Sequence, residues 1–232
     1  MVKFNLKDSI LYEDNDLIAI NKPSGILSIE DGYDKNKLNL RSVLREQYGS
    51  IWAVHRLDKD TSGVILFAKN EESHRQLNSS FSNREIKKNY RGIINGFPIW
   101  NSIEIDLPLK VNGDRKHRTI IDPSNGKPAC TQINKITNCD NFTYVDIFPT
   151  TGITHQIRAH LSTIGFPIYG DSLYWRCCEV KKLSKADQSN FFLHAKSIEF
   201  DHPFLKEQMI ISAPLPDLFT NMLLKLKLIL NC

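Results

Sequence analysis

Cysteine is scarce, and the few present do not pair off. The 232-residue chain holds five, Cys130, Cys139, Cys177, Cys178 and Cys232, an odd number with no C-x-x-C spacing. That set predicts reduced thiols in a cytoplasmic protein rather than a disulfide framework. The adjacent Cys177 and Cys178 are poorly spaced to chelate one zinc, so no metal site is expected. No stretch reaches the roughly 18 uncharged apolar residues that a membrane span requires. The opening MVKFNLKDSILYEDNDL is charged throughout and lacks the apolar segment of an export signal. Neither sign of charge dominates: 30 Lys and Arg stand against 26 Asp and Glu, a net charge of +4. This permits a polyanionic partner without demanding one. Internal repeats, low-complexity tracts and linkers are also missing. A single domain over 1–232 is therefore expected, with 41% apolar residues to fill its core.

What is present reads as strands in hairpins with a few helices. ILYEDNDLIAINKP (10–23) predicts strand, turn and strand, with Glu-Asp-Asn-Asp as the turn and Pro23 and Gly25 as the stop. LRSVLREQY (40–48) sets Leu40, Val43 and Leu44 at helical spacing. IWAV (51–54) and VILFA (64–68) predict two strands around the segment HRLDKDTSG. Asn70 is placed to cap a helix through EESHRQLNSSF, where Leu77 and Phe81 share a face. YRGIING (90–96) predicts a strand, 108–128 a basic loop or irregular hairpin, and ACTQINKI with FTYVDIFP an antiparallel pair. THQIRAHLSTIG (154–165) predicts a helix with Thr154 as its cap and Gly165 as its stop. SIEF (197–200) predicts a short strand. The tail DLFTNMLLKLKLIL puts Phe219, Met222, Leu223, Leu226 and Leu230 on one helical face. Hairpins without regular βαβ alternation point to an α+β fold with a mixed, mainly antiparallel sheet and flanking helices.

Four segments bear on chemistry. In HRLDKDTSG a carboxylate, Asp58, follows Arg56 by two residues and precedes a Thr61-Ser62-Gly63 turn, between two apolar strands. Most such turns are structural, since Asp suits turns and caps. A carboxylate at the lip of a sheet is also partly desolvated, and a nearby guanidinium keeps it ionised and nucleophilic. In THQIRAHL, His155 and Arg158 lie three apart on one helical face, which either lines a pocket or is simply solvated. The spacing of His155 and His160 does not match the H-E-x-x-H zinc pattern. In REIKKNYRGIINGFP, Arg84, Lys87, Lys88 and Arg91 flank Tyr90, a pattern that suits phosphate contacts with base stacking, although read alone it is more often a charged edge strand. KVNGDRKHR (110–118) adds a further basic cluster. NKPSGILS (21–28) reads as a strand end and turn with no chemistry of its own.

Together these segments resemble the RluA family of RNA pseudouridine synthases, over about residues 10–215. HRLDKDTSG is similar to the family's H-R-L-D-x-x-T-S-G signature, NKPSGILS to its K-P-x-G element, and KKNYRGIINGFP to its K-x-Y segment. TGITHQIRAHLSTIGFPIYGD is similar to T-G-R-T-H-Q-I-R-x-H-L-x-x-x-G-H-P-I-x-G-D. GKPACT and FLHAKSIEFDHP match smaller elements. The resemblance implies a catalytic domain with a central cleft across the sheet and no metal or cofactor. It makes Asp58 the catalytic aspartate, Tyr90 the tyrosine that stacks on the target base, and Arg158 the arginine that pairs with the aspartate. Arg56, His155, Lys88 and Thr61 are the expected substrate-binding residues, with Arg56 helping to splay the RNA.

The expected partner is RNA, with no membrane association and a monomer as the default state. The chain looks closest to the short subgroup without an S4 domain, whose members act on 23S ribosomal RNA and tRNA anticodon stem-loops. Ile153 and Phe166 depart from the pattern, standing where Arg and His are usual, and YWRCCEV (174–180) is not the usual continuation. A glycoside hydrolase is the weaker enzyme reading, because it needs a second carboxylate and Asp60 does not fit that role. The alternative of a different class is an RNA-binding or RNA-folding module that kept the fold without catalysis.

Overall fold

A computed structural model describes residues 4–32, 34, 37–175 and 190–229. The chain divides into two compact units, Met1–Lys88 with Ala195–Pro214, and Asn89–His194 with Leu215–Cys232. Cys177, Cys178, Leu230, Cys232 and the segment after Trp175 lie outside the described residues.

The first unit is a sheet with helices beside it. The four-residue helix α1 (Leu6–Ser9) leads into β1 (Ile10–Glu13) and β2 (Leu17–Lys22), the hairpin expected from 10–23. Asp14 closes its turn by accepting the backbone N–H groups of Asp16 and Leu17, both at 2.8 Å. The helix α2 (Leu40–Tyr48) has the boundaries the sequence predicts, capped by Asn39. The strand β3 (Trp52–Ala53) is only two residues long and pairs with β4 (Ser62–Ala68). On its other edge β4 pairs antiparallel with β2, from Leu17–Ala68 to Lys22–Gly63.

Every residue of β4 is buried, which explains its unbroken apolar run: neither face of this strand meets water. Val64, Leu66 and Ala68 pack with Leu17, Ala19 and Leu77. Each large side chain enclosed in this way contributes about 1.5–3 kcal/mol. Leu77 comes from α3 (Glu71–Ser82), whose cap Asn70 accepts from both the N–H and the hydroxyl of Ser73, each at 2.8 Å. Glu71 and Glu72 fill its first turn, where the helix dipole favours acids. The unit closes on β11 (Leu193–Asp201), which lies next to β4 and pairs antiparallel with β12 (Gln208–Ser212). The sequence predicted only residues 197–200 of β11 and did not predict β12.

The second unit has the order β5 (Lys87–Asn95), β10 (Phe142–Pro149), β9 (Cys130–Cys139) and β6 (Ser102–Asp106), each pair antiparallel. The expected loop over 108–128 contains a small hairpin, β7 (Leu109–Lys110) with β8 (Ile120–Ile121). α4 (Gln156–Thr163) packs Ile157 and Leu161 against Ile133, Val145 and Ile147 of the sheet. The last helix, α5 (Asp217–Lys225), sets Phe219, Met222 and Leu223 against Ile93, Tyr144 and Tyr169.

One expectation for α4 fails, and one of the two alternatives for its polar face is removed. Thr154 is not its cap: the residue before the helix is His155, in a left-handed conformation (φ 57°) with no side-chain cap, while the Thr154 carbonyl accepts from the Thr119 hydroxyl. Nor is there a solvated polar face, because every residue from Gln156 to Ser162 is buried. Its polar side chains are instead absorbed by hydrogen bonds within the unit. Gln156 accepts from the Thr151 hydroxyl and the Ile153 N–H and donates to Cys130 O and Thr131 Oγ1. His160 donates from Nε2 to Leu107 O and accepts the Thr131 hydroxyl at Nδ1, both at 2.9 Å.

Gly63 of the Thr-Ser-Gly turn is required by two constraints at once. Its φ is +109°, and an added Cβ would lie 2.1 Å from the carbonyl oxygen of Ala195 on β11. Backbone cannot yield as a flexible side chain does. Gly63→Ala is therefore expected to destabilise the protein by about 3 kcal/mol or more, read as a lowered urea midpoint; an unchanged midpoint would show that β11 can move away.

Candidate active site

The segment from His55 to Thr61 carries the expected aspartate, and each of its turns is tied down from below. Asp58 is half-buried, Arg56 and Lys59 are exposed, and Leu57 is buried. At the start of the segment β3 has ended after Ala53, and the next β4 amide would lose its partner on that side. The His55 ring takes its place: Nε2 accepts the Leu66 N–H at 2.9 Å while the ring stacks on Phe81 at 4.9 Å. Burial pushes this imidazole down from 6.5 to about 3, with the Lys88 ammonium adding to the effect, so the ring is neutral.

The middle of the segment is held by NKPSGILS, the stretch to which the sequence reading gave no chemistry. The Ser28 hydroxyl donates to Leu57 O at 2.8 Å and accepts Leu57 N–H at 3.0 Å, fixing both sides of the residue before Asp58. On the other side of Asp58, Lys59 O accepts from the Gly25 N–H at 2.9 Å and from the Lys22 ammonium at 2.8 Å. Lys22 is fully buried, and its Nζ also donates to Pro23 O at 3.0 Å and Ile26 O at 2.8 Å. Three carbonyls at one nitrogen use the three protons of an ammonium. Burial pulls the Lys22 pKa down to about 7, and the charges of Asp60 and Asp58 oppose that pull. Thr61 is buried, and its N–H closes the turn on Asp58 O at 3.2 Å.

In the second unit, Tyr90 sits in β5 opposite Ile147 and packs against the isoleucine-rich cluster around Ile94 and Ile157. Arg158 makes a two-pronged pair with Asp171, Nε to Oδ2 at 2.7 Å and Nη2 to Oδ1 at 2.8 Å. Asp171 is itself buried, and its Oδ1 also accepts the N–H groups of Leu173 and Tyr174. The guanidinium lies over the rings of Tyr174 and Phe191, at 5.0 and 5.1 Å. A planar cation fixed this way has one orientation. The Tyr174 hydroxyl accepts the Thr119 N–H at 2.8 Å and lies 3.2 Å from His155 Nδ1, giving the ring an orientation as well.

Lys88 belongs to the first unit, where burial draws its ammonium down to about 8. The two departures noted in the sequence are both packing residues. Ile153 joins the cluster of Leu109, Ala129, Ala159 and Tyr174, and Phe166 meets Trp100 edge-on at 5.7 Å.

Asp14, Asp16 and His202 bring ligand-type atoms within 4.8 Å of one another. Their atoms are spent on the protein itself. Asp14 accepts from Tyr12, His202 Nε2 and two backbone N–H groups, and His202 Nδ1 accepts from Phe204 and Leu205. They knit the β1–β2 turn to the segment after β11.

Lys22, Ser28, His55, Asp171 and Tyr174 are the residues that sequence reasoning missed. One signal existed for Lys22: a lysine ending an otherwise apolar strand, LIAINK, is misplaced unless it is bonded. His55 and Asp171 stand inside the quoted motifs, as the H of H-R-L-D and the D of P-I-x-G-D, though no role was read for them; Ser28 and Tyr174 carry no local signal, because their partners are distant in sequence.

The family profile described as RNA pseudouridylate synthase matches residues 16–163. The dual-specificity RNA pseudouridine synthase RluA of Pasteurella multocida is 35% identical over 206 residues, 88% of this chain and 92% of that protein. The ribosomal large subunit pseudouridine synthase C of Buchnera aphidicola is 39% identical over 226 residues, 92% of this chain and 69% of that one. Among solved structures, human RNA pseudouridylate synthase domain containing 4 superposes with a TM-score of 0.78 at 28% identity, covering 96% of this chain and 94% of that one.

Two outcomes test the support beneath Asp58. Lys22→Met takes the ammonium from three carbonyls, of Pro23, Ile26 and Lys59, so stability should fall by about 3 kcal/mol or more, measured by urea unfolding; a cost near zero would mean water replaces the ammonium. For His55, the unfolded chain takes up a proton near 6.5 and the folded one only near 3. The contribution of His55 is complete above the higher value and is lost as pH falls toward the lower, by up to about 1.4 kcal/mol per pH unit. His55→Gln should flatten that part of the stability–pH curve between about pH 6.5 and 4. Parallel curves for the two proteins would refute a neutral buried ring.

Proposed function

The chain belongs to the RluA family of RNA pseudouridine synthases, and from that premise we propose that Asp58 is its catalytic carboxylate, acting on uridines of ribosomal RNA, of tRNA anticodon stem-loops, or of both. The reaction breaks the N1–C1′ bond of a uridine, turns the base, and rejoins it to the ribose through C5, whose hydrogen leaves as a proton. No atoms are added, so no energy source is consumed. The target uridine leaves its stack to be reached, which costs a few kcal/mol and favours loops over duplex.

The observation that carries this reading is the rigidity of the segment around Asp58. Its neighbours on both sides are fixed through their backbone by Ser28, Gly25 and Lys22. A carboxylate on so constrained a backbone keeps one direction of approach, which is what a nucleophile or base acting at a ribose carbon needs. Lys22 places a buried ammonium in the same unit, and the charges of Asp60 and Asp58 act on it. Asp58 then attacks C1′ or removes the C2′ proton; both routes begin from that same carboxylate. Tyr90 is the ring proposed to stack on the rotating base, and Arg158 is proposed as the arginine of the same reaction. Arg56, exposed two residues before Asp58, is proposed to enter the space the uridine vacates.

Release of tritium from tRNA and ribosomal RNA transcripts carrying 5-tritiated uridine tests the reading directly, because forming the C5 bond expels that hydrogen. The wild-type protein should release it. Asp58→Asn should lose at least about a thousandfold in turnover while still binding the RNA. Substantial turnover by Asp58→Asn would remove the aspartate from its role. Binding without any release by the wild type would favour the RNA-binding module instead.

A further inference from the structure

Tyr174 is buried and bonded through its N–H, its carbonyl and its hydroxyl, yet the reaction chemistry gives it no task. It stands three residues after Asp171, in a turn that this aspartate organises. Asp171 Oδ1 accepts the N–H groups of Leu173 and Tyr174 at 3.0 and 3.1 Å, and Asp171 O accepts the Trp175 N–H at 3.0 Å. Aspartate suits such turns because its side chain bonds backbone a few residues on. The turn brings the Tyr174 ring against the guanidinium of Arg158, 5.0 Å from the ring centre. Tyr174 therefore touches both members of the Arg158–Asp171 pair, one through its ring and the other through its backbone.

Its other contacts hold that ring still. Ser162 lies four residues after Arg158, on the same face of α4, and its hydroxyl donates to Tyr174 O at 3.0 Å. At the far end of the ring, the hydroxyl accepts the Thr119 N–H at 2.8 Å and lies 3.2 Å from His155 Nδ1. Leu109, Ala129 and Ala159 are buried with it, and Ile153 packs beside them. Two parallel hydrogen bonds to Asp171 fix the guanidinium within its own plane. They resist tilting out of that plane less, because hydrogen bonds tolerate roughly 30° of departure from linearity. An immobile aromatic face against the cation supplies the missing restraint. Phe191 offers a second ring at 5.1 Å, and of the two Tyr174 is the one bonded to Asp171 as well.

We propose that Tyr174 is a positioning residue for the reaction: its ring face holds the Arg158 guanidinium in the one orientation that turnover uses. This role rests on the proposed part of Arg158 in the reaction, and it deepens that reading by naming what aims the side chain. Tyr174 acts only through Arg158.

The test is a double-mutant cycle read by tritium release from 5-tritiated RNA, with kcat and KM separated and a urea midpoint recorded for each protein. Tyr174→Phe keeps the ring and should stay within about threefold of the wild-type kcat. Tyr174→Leu removes the ring face and should lower kcat about tenfold or more, with KM for the RNA little changed. Phenylalanine carrying three ring fluorines at 174 keeps the volume but loses the negative face, so it should match the kcat of Tyr174→Leu without its loss of urea midpoint. In an Arg158→Lys background, Tyr174→Leu should cost less than about threefold, because an ammonium has no plane to hold. Equal losses in the two backgrounds, a loss confined to KM, or a fluorinated ring as active as Tyr174→Phe would overturn the role and leave Tyr174 as packing. Wild-type turnover by Arg158→Lys would withdraw Arg158 from the reaction, and Tyr174 with it. No release by the wild type would sink the synthase chemistry itself.

Discussion

One buried ammonium organises the segment that carries the aspartate. Lys22 ends β2, is fully enclosed, and binds three carbonyl oxygens, one of which belongs to Lys59, the residue after Asp58. A charge taken out of water is costly, and only full coordination makes the position tolerable. The same coordination joins the turn at 23–26 to the turn at 58–61. Ser28 then fastens Leu57 through both its N–H and its carbonyl, and His55 continues the edge of β4 with a ring nitrogen where β3 has stopped. Backbone held from three directions leaves the Asp58 side chain few places to point.

The second unit solves the same problem with a different cation. Arg158 lies in a helix that is buried along nearly its whole length, and a guanidinium there requires a fixed partner. Asp171 supplies two parallel hydrogen bonds, and the faces of Tyr174 and Phe191 enclose the remaining surface. Gln156 and His160 on the same helix are satisfied by β9 and the segment around Leu107. α4 is therefore a polar helix inside a protein, stable because its polar groups have partners. Its entry is correspondingly unusual: His155 adopts a left-handed conformation, and Gln156, rather than a capping Ser or Thr, orders the residues ahead of it.

Local signals located most of the elements. The β1–β2 turn, the extent of α2, the Asn70 cap of α3 and the β9–β10 pair follow from turn residues, capping chemistry and periodicity, all of which act over a few residues. The failures share one cause. β3 is shorter than its apolar run suggests because a histidine ring takes over its pairing. The polar face of α4, which the sequence left as either pocket-lining or solvated, is covered, because partners 13 to 53 residues away satisfy its polar groups. Ile153 and Phe166, conspicuous as departures, fill apolar clusters.

The sequence by itself determined the chemistry-bearing motifs and the family, because H-R-L-D, K-x-Y and T-H-Q-I-R are contiguous and their order along the chain is legible without folding. It also determined the α+β class, through hairpin turns and the 3.6-residue and two-residue periods. Only the tertiary structure decided what holds those motifs in place. Lys22 bonds Lys59 across 37 residues, Ser28 reaches Leu57 across 29, and Thr119 meets Tyr174 across 55. Hydrogen bonds of this kind depend on which strands the folded chain lays side by side, and no local preference encodes a partner at that separation. A residue such as Lys22 therefore reads as part of a turn until the fold supplies the three carbonyls around it.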